Sequence, residues 1–230
     1  CWPFRPVGAV DTADAEAART AIAAALDIGG GRVHFPAGQY LLGHTLVINR
    51  NVRLDITGDG LTSDLRFAAN APAITWTTEA PCASSSIRDL RISATGIDKS
   101  PETPALAFLG GTEMGTIFDH VFIRSDGARL GGGITVEKVM DTTTLSNCTI
   151  WGVTGVGLKV ARGSEVRIIG GRIVGGTPPH QGLADGSIGV LLTGDNGGVH
   201  VLTTDIIALD TGMQVGIPGG SMNREIFITH

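Results

Sequence analysis

The sequence predicts an all-β fold in which short parallel strands wind into a β-solenoid behind a single N-terminal α-helix. Three observations predict it. Only residues 11–27 carry apolar side chains at helical spacing. After Gly31 the chain consists of short apolar runs bounded by Gly, Asn, Asp or Pro. Two series of these runs repeat along the chain at matched intervals.

The segment 11–27, "DTADAEAARTAIAAALD", is predicted to be the helix. Asp11 or Thr12 can cap its N-terminus, and the acidic residues in its first turns suit the positive end of the helix dipole. One side of the helix is apolar and consists of Ala18, Ile22, Ala25 and Leu26. We therefore expect that side to pack on the first strands.

The glycine-rich stretch "GGGRVHFPAGQYLL", residues 29–42, is predicted to connect the helix to the strands. A phosphate-binding P-loop needs a strand before its glycines, a helix after them and a Gly-Lys-Ser/Thr ending, and this stretch has none of these. The glycines permit a sharp reversal. We expect Val33 and Phe35 to face the core, and Tyr40 and Leu42 to begin the next side.

The two repeat series consist of four-residue strands. The first has a small residue followed by apolar, variable and apolar residues, and its first apolar positions are Ile74, Leu106, Ile134, Leu158, Val190 and Met213. The second ends in Ile92, Ile123, Ile150, Ile173, Ile206 and Ile228. The first series advances by 32, 28, 24, 32 and 23 residues and the second by 31, 27, 23, 33 and 22. Two strands per repeat thus keep a nearly constant separation, and the length variation falls after the second strand.

Such repeats are typical of a parallel β-solenoid, because one short strand buries its inward face only by stacking on the next turn. Turns are about 4.8 Å apart, so roughly six or seven of them make a rod of about 30 Å. The open strand edges at the ends of a rod need a cover. The helix at 11–27 is expected to cap the first turn.

The composition excludes some classes of partner. The chain has 230 residues, 42% of them hydrophobic, and a net charge of −5 without any block of like charges. It therefore lacks the basic stripe of a nucleic-acid-binding protein, although local Arg and Lys groups leave a polyanionic ligand open. No apolar run is long enough to span a bilayer, and no signal peptide is visible. No cofactor is expected.

The cysteines predict no special chemistry. The chain has an odd number of cysteines, and they are widely spaced: Cys1, Cys82 and Cys148. This pattern indicates neither a disulfide framework nor a metal site. Cys82 and Cys148 are expected to be small buried hydrophobic residues.

Nearly the whole chain resembles a known family, and the N-terminal part carries the clearest motifs. Residues 8–42 are similar to the N-terminal signature of the pectate-lyase-like superfamily of right-handed parallel β-helix proteins, with its Gly-Ala, Ala-rich helix, Gly-Gly-Gly and Pro-x-Gly-x-Tyr. The segment "NVRLDITGDG" at 51–60 resembles the turn that usually follows, and "FDHVFI" and "LSNCTI" resemble its repeating strands.

The resemblance implies a single-stranded right-handed parallel β-helix (β-solenoid) with an N-terminal capping α-helix. It implies one domain over 1–230, with 1–31 as the N-terminal segment and capping helix and 32–230 as the coils. Because the chain stops at "EIFITH" without a visible cap, we expect the coils to be truncated at the C-terminus.

The superfamily includes polysaccharide lyases, glycoside hydrolases, epimerases, fructotransferases and phage tailspikes. The resemblance therefore implies an enzyme that cleaves a polysaccharide, by hydrolysis or β-elimination, in a groove along the β-helix. The alternative is a phage tailspike or adhesin that binds surface polysaccharide without necessarily cleaving it. A purely structural solenoid is the third interpretation.

The resemblance to tailspikes also implies an extracellular, secreted or virion-associated protein, with an oligosaccharide or polysaccharide as partner and three rods side by side as a homotrimer. A trimer would show an outward apolar stripe. The outward candidates are Ala107, Ala161, Leu191 and Ile207.

The long insertions are expected at one corner of the solenoid. They follow Ile92, Ile123 and Ile173, whereas the joins after Ile150 and Ile206 are short. Loops grouped at one corner of a rigid rod form a groove wall and commonly carry function. Their clustering favours a binding or catalytic role over a purely structural solenoid.

Two chemistries assign candidate residues. A glycosidase needs two carboxyl groups beside the scissile bond, and Glu137 with Asp126 or Asp141 is the candidate pair, with Asp185 as a further loop carboxylate. A lyase needs a base and a cation that neutralises a uronate carboxylate. For these and for substrate binding the candidates are Arg124, Arg129, Lys159 and His180.

Several patterns argue against particular families or roles. The Asn-x-Asp, paired Asp and Gly-His-Gly pattern of polygalacturonase-type hydrolases is absent, as is the Asp-rich calcium cluster of calcium-dependent pectate lyases, so no metal is expected. Asp119 and His120 occupy the same repeat position as "RDL" and "SNC", which predicts a packing or turn role. Asn147 is a candidate for an amide ladder. Trp76 and Trp151 are expected to pack, with a sugar platform as the alternative.

Overall fold

The computed structural model describes residues 13–77, 84–110, 115–139, 142–176, 184–216 and 223–229. In this part of the chain one helix, α1 (Ala13–Asp27), precedes strands that pair in parallel. The protein is therefore an all-β parallel solenoid of about six turns with a short N-terminal helix, which confirms the fold class.

Each turn has three faces, which we number in the order in which the chain visits them. Face 1 contains β1 (Gly30–Phe35), the first parts of β4 (Arg53–Phe67), β6 (Ser86–Ala94) and β8 (Ile117–Ser125), and then β10 (Thr143–Ser146), β13 (Ser164–Ile169), β16 (Asn196–Leu202) and β19 (Asn223–Thr229). Face 2 contains β2 (Gly38–Leu42), the second parts of β4, β6 and β8, and then β11 (Thr149–Val153), β14 (Arg172–Gly175) and β17 (Asp205–Ile207). Face 3 contains β3 (Leu46–Ile48), β5 (Ile74–Thr77), β7 (Pro104–Leu109), β9 (Gly132–Glu137), β12 (Val156–Ala161), β15 (Ile188–Thr193) and β18 (Thr211–Val215).

Face 3 stacks in the register that the first repeat series predicts. Its inward residues pair in the order Ile74, Leu106, Ile134, Leu158, Val190 and Met213. The first five of these side chains are at most 1% exposed. Burial of one apolar side chain per turn in a continuous column is what makes the turns stack in register.

Face 2 follows the second repeat series through Ile92, Ile123, Ile150, Ile173 and Ile206. Ile228 is an exception, because it lies in β19 and pairs with Val201 on face 1. The prediction of two strands per repeat is also wrong, since each turn has a third strand on face 1. The physical reason lies at the corner between faces 1 and 2.

That corner is a single residue with a left-handed backbone. Asp89, His120 and Asn147 occupy it in successive turns with φ values of 53°, 51° and 51°. Asn, Asp and His tolerate this conformation better than most residues. The predicted turn role of His120 is thus confirmed, and its imidazole is held by Asp119 at 3.0 Å.

Asn147 does not form an amide ladder, because its side-chain amide donates to Ser146 at 3.1 Å. The amide contact between turns is made instead by Asn196 and Asn223, at 2.6 Å.

The corner between faces 2 and 3 carries the insertions, as the spacings predict. The connections there are 95–103 and 126–131 in two turns but only 154–155 in another, and the longest connection, between β14 and β15, lies partly outside the described residues. Lys99 organises the first of them: its ammonium is buried and donates to the carbonyls of Ala68 at 3.0 Å, Thr95 at 2.7 Å and Ile97.

The helix α1 covers the first turn. Its predicted apolar residues Ala18, Ile22, Ala25 and Leu26 are all buried in the common core. Asp27 at its C-terminal end pairs with Arg50 at 2.8 Å, which fastens the helix to the connection after β3. The predicted caps Asp11 and Thr12 lie outside the described residues.

The stretch after the helix connects it to the solenoid as predicted. Val33 and Phe35 are buried, and the Tyr40 ring packs edge-on against Phe35 with centroids 5.2 Å apart. Gly30 has a φ of 114°, and a Cβ there would collide with the carbonyl of Arg53 on the paired strand. Glycine is required here by both backbone conformation and close approach.

The structure also tests the predictions about the cysteines, Trp76 and the outward apolar residues. Cys148 is buried and Trp76 is 1% exposed, so both pack in the interior as expected; Cys82 lies outside the described residues. Among the outward apolar candidates, Ala107 and Ala161 are buried and only Ile207 is clearly exposed. No helix of the described residues is long and apolar enough to cross a membrane.

Candidate functional site

The outer surface of face 2 gathers the chemistry-bearing side chains. Arg66, Ser93, Arg124 and Trp151 stand directly beside one another in four successive turns. In the neighbouring outward column Asp64 pairs with Arg91. Paired positions in adjacent strands are about 4.8 Å apart, so these side chains form one continuous surface.

Asp126 completes this surface from the corner that follows β8. Its carboxylate lies 2.8 Å from Arg66, 3.5 Å from Arg124 and 3.8 Å from Arg91. The corner is fixed by the Asp126 amide, which donates to the carbonyl of Ala94 at 2.8 Å. We call Asp64, Arg66, Arg91, Arg124 and Asp126 the charged cluster.

Asp64 is the buried member of the charged cluster. It is 2% exposed, it accepts a hydrogen bond from the Ser93 hydroxyl at 2.6 Å, and Arg91 lies 3.3 Å away. Burial raises the pKa of this carboxyl, against the opposing effects of the Ser93 hydrogen bond and of Arg91. Asp64 is therefore the group on this surface whose environment favours holding a proton.

Arg91 links the two carboxylates. The same guanidinium nitrogen lies 3.3 Å from Asp64 and 3.8 Å from Asp126, so it bridges the two carboxylates. Arg91 also donates from Nε to Ser93 at 3.1 Å. Because the cluster contains three guanidinium groups and two carboxylates, it keeps an excess of positive charge when both are ionised.

Trp151 provides an apolar neighbour to this polar surface. Its indole is 38% exposed, and it pairs with Arg124 in the adjacent turn. The strand β11 is irregular just beyond it, at Gly152, whose φ is 87° and whose Cβ position is occupied by Ser125. Bulges of this kind turn a side chain outward, and the exposure of Trp151 favours the sugar-platform alternative over packing.

The structure brings two of the predicted site residues together, Asp126 and Arg124. It does not bring Glu137 to them. Asp126 precedes β9 and Glu137 ends it, so the two are separated by a strand of six residues at about 3.3 Å each. Glu137 instead forms a close ion pair with Arg162 of the next turn.

The other predicted residues are dispersed. Arg129 lies at the corner between faces 2 and 3 and pairs with Asp98 at 3.6 Å. Lys159 points outward from face 3, and Asp185 is exposed in the third insertion. Asp141 and His180 lie outside the described residues.

Sequence reasoning missed Asp64, Arg66 and Arg91. No signal in the sequence pointed to them, because only the structure shows that Leu65 is the inward residue that precedes Ile92 in its column. Placing Leu65 at that position makes Asp64 and Arg66 outward neighbours of Arg91 and Ser93. Matching "DLRF" to "DLRI" by letters alone gives the wrong register.

Comparison with known proteins assigns no family. No protein-family model matches the sequence, and no curated protein matches it. A solved structure, ORF18 of Geobacillus virus E2, is similar over 82% of this chain and 54% of its own, at 14% identity and a TM-score of 0.24. This chain thus spans about half the length of that protein. A TM-score this low supports no functional argument.

Proposed function

We propose that this protein binds a polysaccharide along the outer surface of face 2 and cleaves it there, as a member of the pectate-lyase-like superfamily of β-helix proteins. The observation that carries the proposal is the exposed Trp151 indole beside Arg124 and the half-buried Asp126. An indole face packs on the apolar face of a sugar ring, while guanidinium and carboxylate groups bind hydroxyl or carboxylate substituents.

The direction of the surface suits a chain-like ligand. Arg66, Ser93, Arg124 and Trp151 span four turns, which is about 14 Å along the solenoid axis. That length suits a short stretch of a glycan chain lying along the solenoid. The corner insertions at 95–103 and 126–131 border this surface, and in this proposal they form one wall of a binding groove.

The two routes of cleavage use different members of the cluster. For hydrolysis, Asp126 is the carboxylate that acts as base or nucleophile, because Asp64, the second carboxyl of the cluster, is buried. For β-elimination, an arginine of the cluster neutralises a uronate carboxylate and a neighbouring basic group removes the adjacent proton. A second location for this chemistry is face 3. There Glu137 pairs with Arg162, and Lys159 lies nearby.

Binding without cleavage is the second candidate function. It is favoured by the burial of Asp64, which is 2% exposed and therefore not open to a glycan, and by the three guanidinium groups that already engage Asp126. A tailspike or adhesin role would also fit homotrimeric assembly and an extracellular or virion-associated location, which we propose with it.

Digestion of a panel of neutral and acidic polysaccharides, read by mass spectrometry, separates these functions. Products with an unsaturated end indicate β-elimination, and saturated products with a new reducing end indicate hydrolysis. Retention of a glycan on immobilised protein without products indicates binding alone. Absence of both products and retention across the panel would overturn the proposal.

A further inference from the structure

A second group of reactive side chains lies on face 1, where the first and second turns meet. His34 in β1 and Thr57 in β4 are direct partners across the two strands. Nδ1 of His34 lies 3.1 Å from the Thr57 hydroxyl, and Nε2 lies 3.2 Å from a carboxylate oxygen of Asp59. Hydroxyl, imidazole and carboxylate are thus connected in a line.

The partners of His34 fix the proton positions. An ionised carboxylate only accepts hydrogen bonds, so Nε2 of a neutral imidazole must carry the hydrogen that faces Asp59. The lone pair is then on Nδ1, where it accepts the Thr57 hydroxyl proton. This is the arrangement in which an imidazole acts as a base toward a hydroxyl nucleophile.

The carboxylate of Asp59 is anchored by the backbone. Its second oxygen accepts a hydrogen bond from the Ala37 amide at 2.9 Å, and the Asp59 amide donates to Ser63 at 2.7 Å. The Thr62 hydroxyl donates to the Asp59 carbonyl at 2.7 Å. Asp59 is therefore held in a fixed corner and can orient the imidazole, as the third member of a triad must.

An arginine is the strand neighbour of Thr57 on the side away from His34. Arg88 pairs with Thr57 on the adjacent strand β6, about 4.8 Å away along the solenoid. Its guanidinium makes no hydrogen bond or ion pair with the residues that the structure describes. It is available to stabilise negative charge that develops beside Thr57.

We propose that Thr57, His34 and Asp59 form an acyl-transfer site that hydrolyses small carboxylic esters, such as an acyl group on a sugar hydroxyl. His34 and Asp59 are about half exposed, with side-chain exposures of 46% and 49%, so an ester reaches the site from solvent. The β-branched Thr57 has few side-chain rotamers, which keeps its hydroxyl on the imidazole.

The reaction proceeds in two balanced steps. Thr57 Oγ1 attacks the ester carbon, its proton passes to His34 Nδ1, and the carbon–oxygen bond to the alcohol breaks as that proton is delivered to the leaving oxygen. Water then attacks the acyl-Thr57, gives one proton to His34 and releases the carboxylic acid, and His34 returns the proton to Thr57. Arg88 stabilises the oxyanion in both steps, and Asp59 acts as a positioning residue.

The test is the hydrolysis of p-nitrophenyl acetate by the whole chain and four variants. Thr57→Ala and His34→Gln should reduce the rate to that of buffer, and Thr57→Ser should retain it. Asp59→Asn should lower kcat at least tenfold and leave KM unchanged, because it alters the imidazole and not the bound ester. Thr75→Ala, on face 3, is the matched control and should keep the wild-type rate.

A covalent readout makes the test independent of folding defects. Mass spectrometry of wild-type protein quenched in acid should find one acetyl group on Thr57 and none in His34→Gln. Circular dichroism of each variant checks that it is folded. The proposal is overturned if wild type does not exceed buffer, if folded Thr57→Ala keeps the rate, or if the acetyl group is on another residue.

Discussion

The carboxylate of Asp126 lies 2.8 Å from the guanidinium of Arg66, a residue two turns away along the solenoid. The contact is possible because Arg66, Ser93 and Arg124 share one outward column and the small Ser93 leaves room between the two arginines. The surface is therefore built by stacking and not by any contiguous sequence motif.

Replacement of Asp126 should reduce glycan cleavage with little effect on folding. Asp126→Asn removes the half-exposed carboxylate that serves as base or nucleophile, and loss of such a group typically lowers the rate at least about 100-fold. Partly exposed ion pairs contribute about 0–1 kcal/mol each, so the melting temperature should fall by only a few degrees. Asp195→Asn, at an exposed corner, is the control. Unchanged turnover by Asp126→Asn would remove this residue from the mechanism.

Trp151 should contribute to the affinity for a glycan and not to the stability of the fold. Trp151→Ala removes an exposed aromatic anchor, and such anchors commonly contribute about 2 kcal/mol or more, so glycan affinity measured by calorimetry should fall more than tenfold. Phe227→Ala removes another exposed aromatic side chain, on face 1, and should leave affinity unchanged. Equal effects of the two variants would contradict a platform at Trp151.

Asp64 should make stability depend on pH in a defined direction. Its pKa is raised above the ordinary value of 3.8 by burial, so the folded state binds the proton more tightly than the unfolded chain. The resulting contribution to stability is complete below 3.8 and is lost as pH rises through the folded-state pKa. Urea unfolding of wild type and Asp64→Asn across this range should show wild type losing stability relative to the variant as pH rises. The opposite trend would mean that Arg91 and the Ser93 hydrogen bond lower the pKa of Asp64 more than burial raises it.

Lys99 should stabilise the first corner insertion. Lys99→Met keeps the apolar stem but leaves three backbone carbonyls without their donor, and we expect the free energy of unfolding to fall by about 3 kcal/mol. Lys159→Met, a strand residue without a polar partner among the described residues, should change it by less than about 0.5 kcal/mol. A similar small change in both variants would show that water replaces the ammonium.

Cys148 should be inert while the protein is folded. Burial raises the pKa of its thiol to about 12, so the reactive thiolate is scarce near neutral pH. Iodoacetamide followed by peptide mapping should label Cys148 only after unfolding in urea. Rapid labelling of Cys148 in the native protein would indicate local opening of face 2.

The core of the fold was predictable because burial imposes a period that the sequence displays. Inward residues of faces 2 and 3 must be apolar in every turn, and both columns were identified at the correct positions up to the last turn. Face 1 was missed because a single left-handed residue, such as Asp89 or His120, turns the corner without the Gly or Pro cluster that marks a loop. Ile228 was misplaced for the same reason.

The candidate site was predictable only in part. The alternation of inward and outward side chains along a strand shows that Arg124 and Glu137 point outward. It does not show which face of the solenoid a side chain in a loop contacts. The Asp126 side chain contacts the arginines of face 2 and not Glu137. The register between "DLRF" and the following strand, which brings Asp64 to Arg91, depends on the bulged connection within β4, and composition does not reveal it.

The most direct measurement of the central claim is a crystal structure with an oligosaccharide that the panel identifies as product or ligand. We predict a sugar ring on the Trp151 indole, with the rest of the chain running past Arg124 and Asp126 toward Arg66. An oligosaccharide bound instead at Glu137 and Arg162, with the outer surface of face 2 empty, would contradict the account.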